Sequence, residues 1–146
     1  LRGRIHDNAL SNHVSMLGSI SYDNVPQFIN QCRICVSLKS DFSASKKSSL
    51  AYSYSPLKIR DYAACGKPII ASRLPGLEEI EQARFGILVQ PGDIAELASA
   101  MRYLINNPDL CEEMGRNARA YAEQQYSWKH TAHAISRNIA ELLSGV

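Results

Sequence analysis

The sequence predicts an α/β fold: a Rossmann-like parallel sheet flanked by helices. Three observations carry that expectation. Short apolar runs alternate with longer amphipathic stretches, the pattern of parallel βαβ units. Pro, Gly and hydroxyl side chains stand where the amphipathic stretches start and stop. The 146 residues, 45% hydrophobic and 21% charged, make one domain of ordinary globular composition.

The elements follow in order. Residues 1–10 read as the tail of a helix, and residues 14–17 as a short strand ending at Gly18. Asn24-Val25-Pro26 starts a helix, because Pro suits the first helical position, and Val25, Phe28, Ile29 and Cys32 then share a face. Residues 34–38 read as a strand. From Ser40 to Ser55 seven of sixteen residues are serine, with Lys46-Lys47 in the middle. Nothing there is periodic, so the composition predicts a mobile loop. Ser55-Pro56 supplies a hydroxyl cap and a first-turn proline, and the helix they open closes at Gly66. Residues 68–71 form a strand, Pro75-Gly76 a turn, residues 77–83 a short helix and residues 86–89 a further strand. The last third, residues 93–144, is helical. Asp93-Ile94-Ala95-Glu96 resembles a capping box. Asn107-Pro108 ends one helix and begins another. Ser127 caps the third, with Trp128, Thr131, Ile135, Ile139, Leu142 and Leu143 on one side.

Several functions are excluded. With 16 basic and 14 acidic side chains the net charge is +2, too small to mark a nucleic-acid partner. No apolar run is long enough to span a bilayer. The opening Leu1-Arg2-Gly3-Arg4 carries no targeting signal and reads as the start of a piece of a longer chain. Cys32 and Cys35 form a C-x-x-C, but no second pair accompanies them. All four cysteines read as small apolar side chains on buried faces, in a reducing, cytoplasmic setting. His130 and His133 read as a solvated face, since no third metal ligand stands near them.

Ligands of open α/β sheets bind beyond the carboxyl ends of the strands. Residues 18–20, 39–58 and 72–76 occupy such positions. The second stretch delivers the chain to a helix N-terminus, where free N–H groups and the positive dipole end favour an anion. Pro56 removes one donor, Leu57 and Lys58 keep theirs, and Lys58 adds a charge. Asp61, one turn on, has the acceptor geometry for two vicinal hydroxyls. On these grounds alone an ordinary capped helix is the better account of the residues, because every helix has such an end. Tyr52 and Tyr54 are candidates for stacking. Glu78 and Glu79 are neighbours that need not share a face.

The order of blocks is more specific. Val14-Ser15-Met16-Leu17-Gly18-Ser19-Ile20 resembles the "V-x-F-x-G-x-V" stretch of group-1 nucleotide-sugar glycosyltransferases. Residues 55–72, beginning Ser55-Pro56-Leu57-Lys58 and running through Asp61-Tyr62-Ala63-Ala64-Cys65-Gly66-Lys67-Pro68, resemble their "S-P-L-K-x-x-E-Y-M-A-x-G-K-P-V-V-A-S" block. Gly86-Ile87-Leu88-Val89-Gln90-Pro91-Gly92-Asp93 is similar to "G-L-L-V-x-P-G-D", and Tyr126-Ser127-Trp128 to the "Y-S-W" before the last helix.

The resemblance implies a GT-B architecture, of which this chain would be the C-terminal, donor-binding domain. It would be one partial domain over residues 1–146, apparently lacking its first two strands, which would precede Leu1. Family members transfer a sugar from a nucleoside diphosphate with retention of configuration and without a bound metal. The nucleotide-binding positions map to Ser19 and Ile20 along the base, Leu57 and Lys58 at the diphosphate, and Asp61 at the ribose. The sugar side maps to Ser53, Ser55 and Pro56, with Ser53 where the family has a glutamate. No catalytic side chain and no cofactor is implied. The implied partners are the nucleotide sugar and an N-terminal acceptor domain of the same parent, with self-association through an open sheet edge. The expected setting is cytoplasmic, at the membrane periphery if the parent takes it there. The alternative is a non-catalytic nucleotide-, sugar-phosphate- or protein-binding module.

Overall fold

The computed structural model describes residues 2–39 and 57–144. In chain order these form α1 (Arg2–Asp7), a 3-10 turn (Tyr22–Asn24), α2 (Val25–Gln31), β1 (Cys35–Ser37), α3 (Leu57–Ala64), β2 (Ile69–Ser72), α4 (Glu79–Gln82), β3 (Gly86–Val89), α5 (Ile94–Asn106), α6 (Pro108–Gln125) and α7 (Trp128–Ser144). The serine-rich stretch 40–55, with Lys46, Lys47, Tyr52 and Tyr54, lies outside the described residues.

The three strands are parallel in the order β1-β2-β3. Cys35 lies opposite Ile69, and Ile70 opposite Ile87. All four residues of β2 are buried, as a central parallel strand covered on both faces requires. One core lies on the face of Ile69, Ala71 and Leu88, where Ile59 and Ala63 of α3 meet Ile80, Phe85, Ala118 and Ala122. On the other face Ile70 and Val89 pack with Ala100, Leu104 and Cys111. Gly86 fits β3 tightly, since a Cβ there would overlap the Ile69 carbonyl and the Ile80 side chain.

Residues 14–17 depart from expectation. They join no sheet among the described residues, and Val14, Met16 and Leu17 are 40%, 47% and 60% exposed. In the doubly wound order 3-2-1-4-5-6 the third strand is separated from the fourth by the first two. The described strands supply the last three of that order, so residues 14–17 meet no neighbouring ladder, and an apolar run without a ladder is not a strand. Cys32 is also corrected: it is exposed at the end of α2, while Cys35 and Cys111 are buried as expected and Cys65 is half-buried. Burial pushes the Cys35 thiol up to about 12, far from the thiolate form a redox role needs. The stripe on α7 faces outward: none of its residues is buried, and Trp128 is 88% exposed.

The caps expected at Asp93, Ser127 and Gly66 form, with one change; the cap expected at Ser55 lies outside the described residues. Asp93 Oδ1 accepts from the Glu96 amide at 2.8 Å. The Glu96 carboxylate reaches past the cap to accept from the Gln90 amide at 2.6 Å, tying α5 to the end of β3. Ser127 Oγ accepts from the His130 amide at 3.2 Å. Gly66, at φ +66°, ends α3 in a Schellman arrangement: the Lys67 amide donates to the Tyr62 carbonyl and the Gly66 amide to the Ala63 carbonyl.

Gly115 of α6 lies against Gly66, where a Cβ would overlap the Gly66 carbonyl oxygen. A helical Gly→Ala change on an open surface gains up to about 1 kcal/mol. Here overpacking of about 1–3 kcal/mol opposes it. Gly115→Ala is therefore expected to lower the urea midpoint of unfolding; a raised midpoint would show that α3 and α6 are not held this close.

Candidate functional site

Helix α3 is amphipathic around its own axis in a way that fixes the site. Ile59 and Ala63 are fully buried, so Lys58 and Arg60 are exposed and Asp61 is half-buried. Its C-terminal end is anchored to α6 by the Gly66–Gly115 contact and by Arg119, whose Nη1 donates to the Ala64 carbonyl at 2.6 Å.

Asp61 opens into a cavity of about 290 Å³ shared with Arg60, Arg119, Glu123, Tyr126 and Ser127. Its carboxylate makes no hydrogen bond or ion pair among the described residues. Arg119, by contrast, is engaged: its Nε meets Glu123 Oε1 at 2.7 Å. The wall beside Asp61 is an aromatic ladder. Phe85 lies 5.1 Å from Tyr121, Tyr121 meets Tyr126 edge-on at 5.3 Å, and the Arg60 guanidinium sits 5.1 Å from the centre of the Tyr126 ring. The Tyr126 hydroxyl donates to Glu79 Oε1 at 3.1 Å. Burial, reinforced by the Glu79 charge, pushes the Tyr126 phenol well above its ordinary range, so it remains a donor.

The other predicted positions fare differently. Leu57 and Lys58 occupy the exposed first turn of α3. Ser19 is exposed and Ile20 half-buried, ahead of the 3-10 turn, and neither lines the cavity of Asp61. Ser53, Ser55 and Pro56 lie outside the described residues. Glu78 and Glu79 serve separate partners: Glu78 accepts from the Gly76 amide at 2.8 Å and Glu79 from Tyr126. Among the described residues no group of three or more His, Cys, Asp or Glu is arranged to hold a metal ion. Arg60 and Tyr126 were not singled out as site residues from the sequence, because no spacing rule joins a helix start to the end of a distant helix.

The carboxyl ends of the strands hold a second feature. Ser72 Oγ accepts from the Lys39 amide at 2.8 Å and donates to the Lys39 carbonyl at 3.3 Å, closing the floor of a cavity of about 160 Å³. Just beyond, Arg73 makes two 2.9 Å bonds to Glu81 and one of 3.0 Å to the Leu88 carbonyl, while Glu81 also accepts from the Leu88 amide. Arg73 is thereby locked to β3, its own amide also donating to the Val89 carbonyl.

With this geometry in hand, comparison with known proteins is direct. Residues 2–137 match the family model described as "Glycosyl transferase-like". The chain belongs to this glycosyltransferase family, and its sheet and helices are those of a Rossmann-like C-terminal domain of GT-B enzymes. It is 40% identical over 73 residues to a D-inositol 3-phosphate glycosyltransferase of Gordonia bronchialis, covering 49% of this chain and 16% of that protein. It is 27% identical over 131 residues to an uncharacterized glycosyltransferase of Methanocaldococcus jannaschii, covering 89% of this chain and 34% of that one. In three dimensions 99% of the chain superposes on sucrose-phosphate synthase from Thermosynechococcus elongatus, with a TM-score of 0.76 at 23% identity. It also superposes on Anabaena HepE, solved with UDP and glucose, with a TM-score of 0.73 at 25% identity. The chain spans 34% and 35% of those two structures.

The Arg73 bond and the Leu88 amide hold the Glu81 carboxyl below its usual range. A depressed carboxylate contributes stability above its unfolded pKa, and that contribution is lost as pH falls through the lower, folded value. Both side chains are more than a third exposed, so the contribution is about 1 kcal/mol or less. Glu81→Gln is expected to destabilise the chain at pH 7 and to differ less from wild type at about pH 3, below the ordinary glutamate range. Urea titrations at the two pH values would refute this if the difference were the same at both.

Proposed function

We propose that the chain is the donor-binding part of a glycosyltransferase that moves a sugar from a nucleoside diphosphate to an acceptor with retention. The observation that supports this most is Asp61. It is a carboxylate without a partner among the described residues, lining a cavity, on the helix whose sequence resembles the donor-site block of group-1 glycosyltransferases. In this reading Asp61 accepts from the ribose hydroxyls. The first-turn amides of Leu57 and Lys58, with the Lys58 charge, meet the diphosphate, and Ser19 and Ile20 run along the base. The resemblance alone assigns Ser53, Ser55 and Pro56 to the sugar side.

The protein's part in the chemistry is positioning and charge stabilisation. As the sugar–phosphate bond breaks, charge grows on the departing diphosphate. Main-chain donors and cations already aimed at it stabilise that charge more than they stabilise the ground state. No metal is needed in this scheme. That HepE was solved with UDP and with UDP-glucose makes a uridine nucleotide the first donor to test. Ser53, in place of the family's sugar-side glutamate, is the one feature that favours a nucleotide-binding module without transfer. Among the described residues no strand lies beside the outer edge of β1, and further strands, or a second copy, would add there.

The test is titration calorimetry with UDP, GDP and ADP. Losing a charge-assisted hydrogen bond costs about 1.5–3 kcal/mol, so Asp61→Ala is expected to weaken binding by about 10- to 100-fold. An unchanged affinity would remove the ribose assignment.

Transfer needs a second reactant held in line, and orientation is worth about 7–11 kcal/mol of a barrier. The 146-residue chain, spanning about a third of its solved relatives, is therefore expected to bind donor without turning it over. Incubation with radiolabelled nucleotide sugars and acceptors checks this. Product that scales with chain concentration and disappears with Asp61→Ala would show a complete catalyst.

A further inference from the structure

We propose that Arg60 is a diphosphate-binding residue of the donor site and that Tyr126 positions it; this rests on the donor-site reading above. Three features of the cavity carry the inference. First, the two arginines that line it are not equivalent. Arg119 has Nε bonded to Glu123 and Nη1 to the Ala64 carbonyl, whereas Arg60 makes no ion pair among the described residues. Second, the Arg60 guanidinium carbon lies over the face of the Tyr126 ring, 5.1 Å from its centre. A cation seated on a ring face is held without spending its N–H groups on an acceptor, so they remain to fork onto phosphate oxygens. Third, the ring is itself fixed, by the Tyr121 edge contact and by its hydroxyl bond to Glu79. The cation is thus set beside Asp61 before any ligand arrives.

Asp61 and Arg60 are consecutive residues that share a cavity without pairing. One offers acceptors and the other donors. A ligand that satisfies both carries adjacent hydroxyls and, close by, an anionic oxygen. The ribose and phosphates of a nucleoside diphosphate have that arrangement, and a free sugar or nucleoside lacks the second half. The order of affinity therefore identifies what Arg60 does.

The experiment is calorimetry of the 146-residue chain with uridine, UMP and UDP, at low and high salt. Wild type is compared with Arg60→Met, Tyr126→Leu, Tyr126→Phe and Asp61→Ala. Arg60→Met is expected to weaken UDP about tenfold or more, to change uridine less than about twofold, and to flatten the salt dependence. Tyr126→Leu, which removes the ring beneath the guanidinium, is expected to give the same selective loss. Tyr126→Phe, which keeps the ring, is expected to stay within about threefold of wild type. Because Arg60 is exposed, Arg60→Met carries the test even if Tyr126→Leu fails to fold. UDP affinity unchanged in Arg60→Met, or uridine and UDP weakened equally, overturns the inference. If Asp61→Ala still weakens UDP in that case, the donor-site reading stands without it. A wild-type chain that binds none of the three ligands overturns both.

Discussion

The close approach of Gly66 and Gly115 sets the geometry on which the candidate site depends. The carbonyl of Gly66 occupies the space a side chain at 115 would fill, so α3 and α6 meet backbone to backbone. That spacing lets Arg119 span from α6 to the last turn of α3 and satisfy the Ala64 carbonyl, one of the acceptors a helix end leaves open. With its end pinned on one side and Ile59 and Ala63 sunk in the core on another, α3 has little rotational freedom. The face that carries Lys58, Arg60 and Asp61 is what remains.

A second constraint acts beside the first. Phe85 precedes β3, Tyr121 sits on α6 and Tyr126 lies at the α6–α7 junction. Their rings form a continuous contact from the core outward. Tilted and edge-on aromatic pairs each contribute about 0.5–1.5 kcal/mol beyond burial, and the bond from Tyr126 to Glu79 adds α4 to the assembly. The junction after α6 is therefore a braced corner of the cavity. Arg60 rests on its outermost ring.

Much of this was legible because it is local. The strand at residues 86–89, the Schellman glycine at 66, the Asp93 cap and the break at Asn107-Pro108 are written in short-range chemistry, and the structure has them at those places. What failed was non-local. Residues 14–17 have a strand's composition, but a strand exists only beside another. Glu96 has a capping box's spacing, yet its carboxylate found the Gln90 amide across the loop. The period of α7 shows an apolar stripe without showing what covers it. For the site, composition and helix ends left Asp61 an ordinary surface acid; the block of residues around it, matched as a whole, made it a candidate. Arg60 carried no signal and Tyr126 stood only in the block similar to "Y-S-W", with nothing to join the two, since a cation–π contact between distant residues has no sequence period.

The pattern of engaged and unengaged charge separates scaffold from site. Arg73 is held by Glu81, Arg119 by Glu123, the Gly76 amide by Glu78 and the Tyr126 hydroxyl by Glu79. Each of these pairs fixes one element against another or closes a turn. Within the same region Asp61, Arg60 and Lys58 make no ion pair among the described residues, although Arg119 and Glu123 share a cavity with two of them. A fold selected only for stability gains from pairing such neighbours where geometry allows. Here the geometry of α3 holds an acid and a base side by side on one helix, with the base over the Tyr126 ring and the acid lining the cavity. In the proposed donor-site reading their hydrogen-bonding capacity is kept for a ligand. On that reading the site would bind tightly only a ligand that brings both complements at once, which is how a small polar cavity obtains selectivity without a deep apolar pocket.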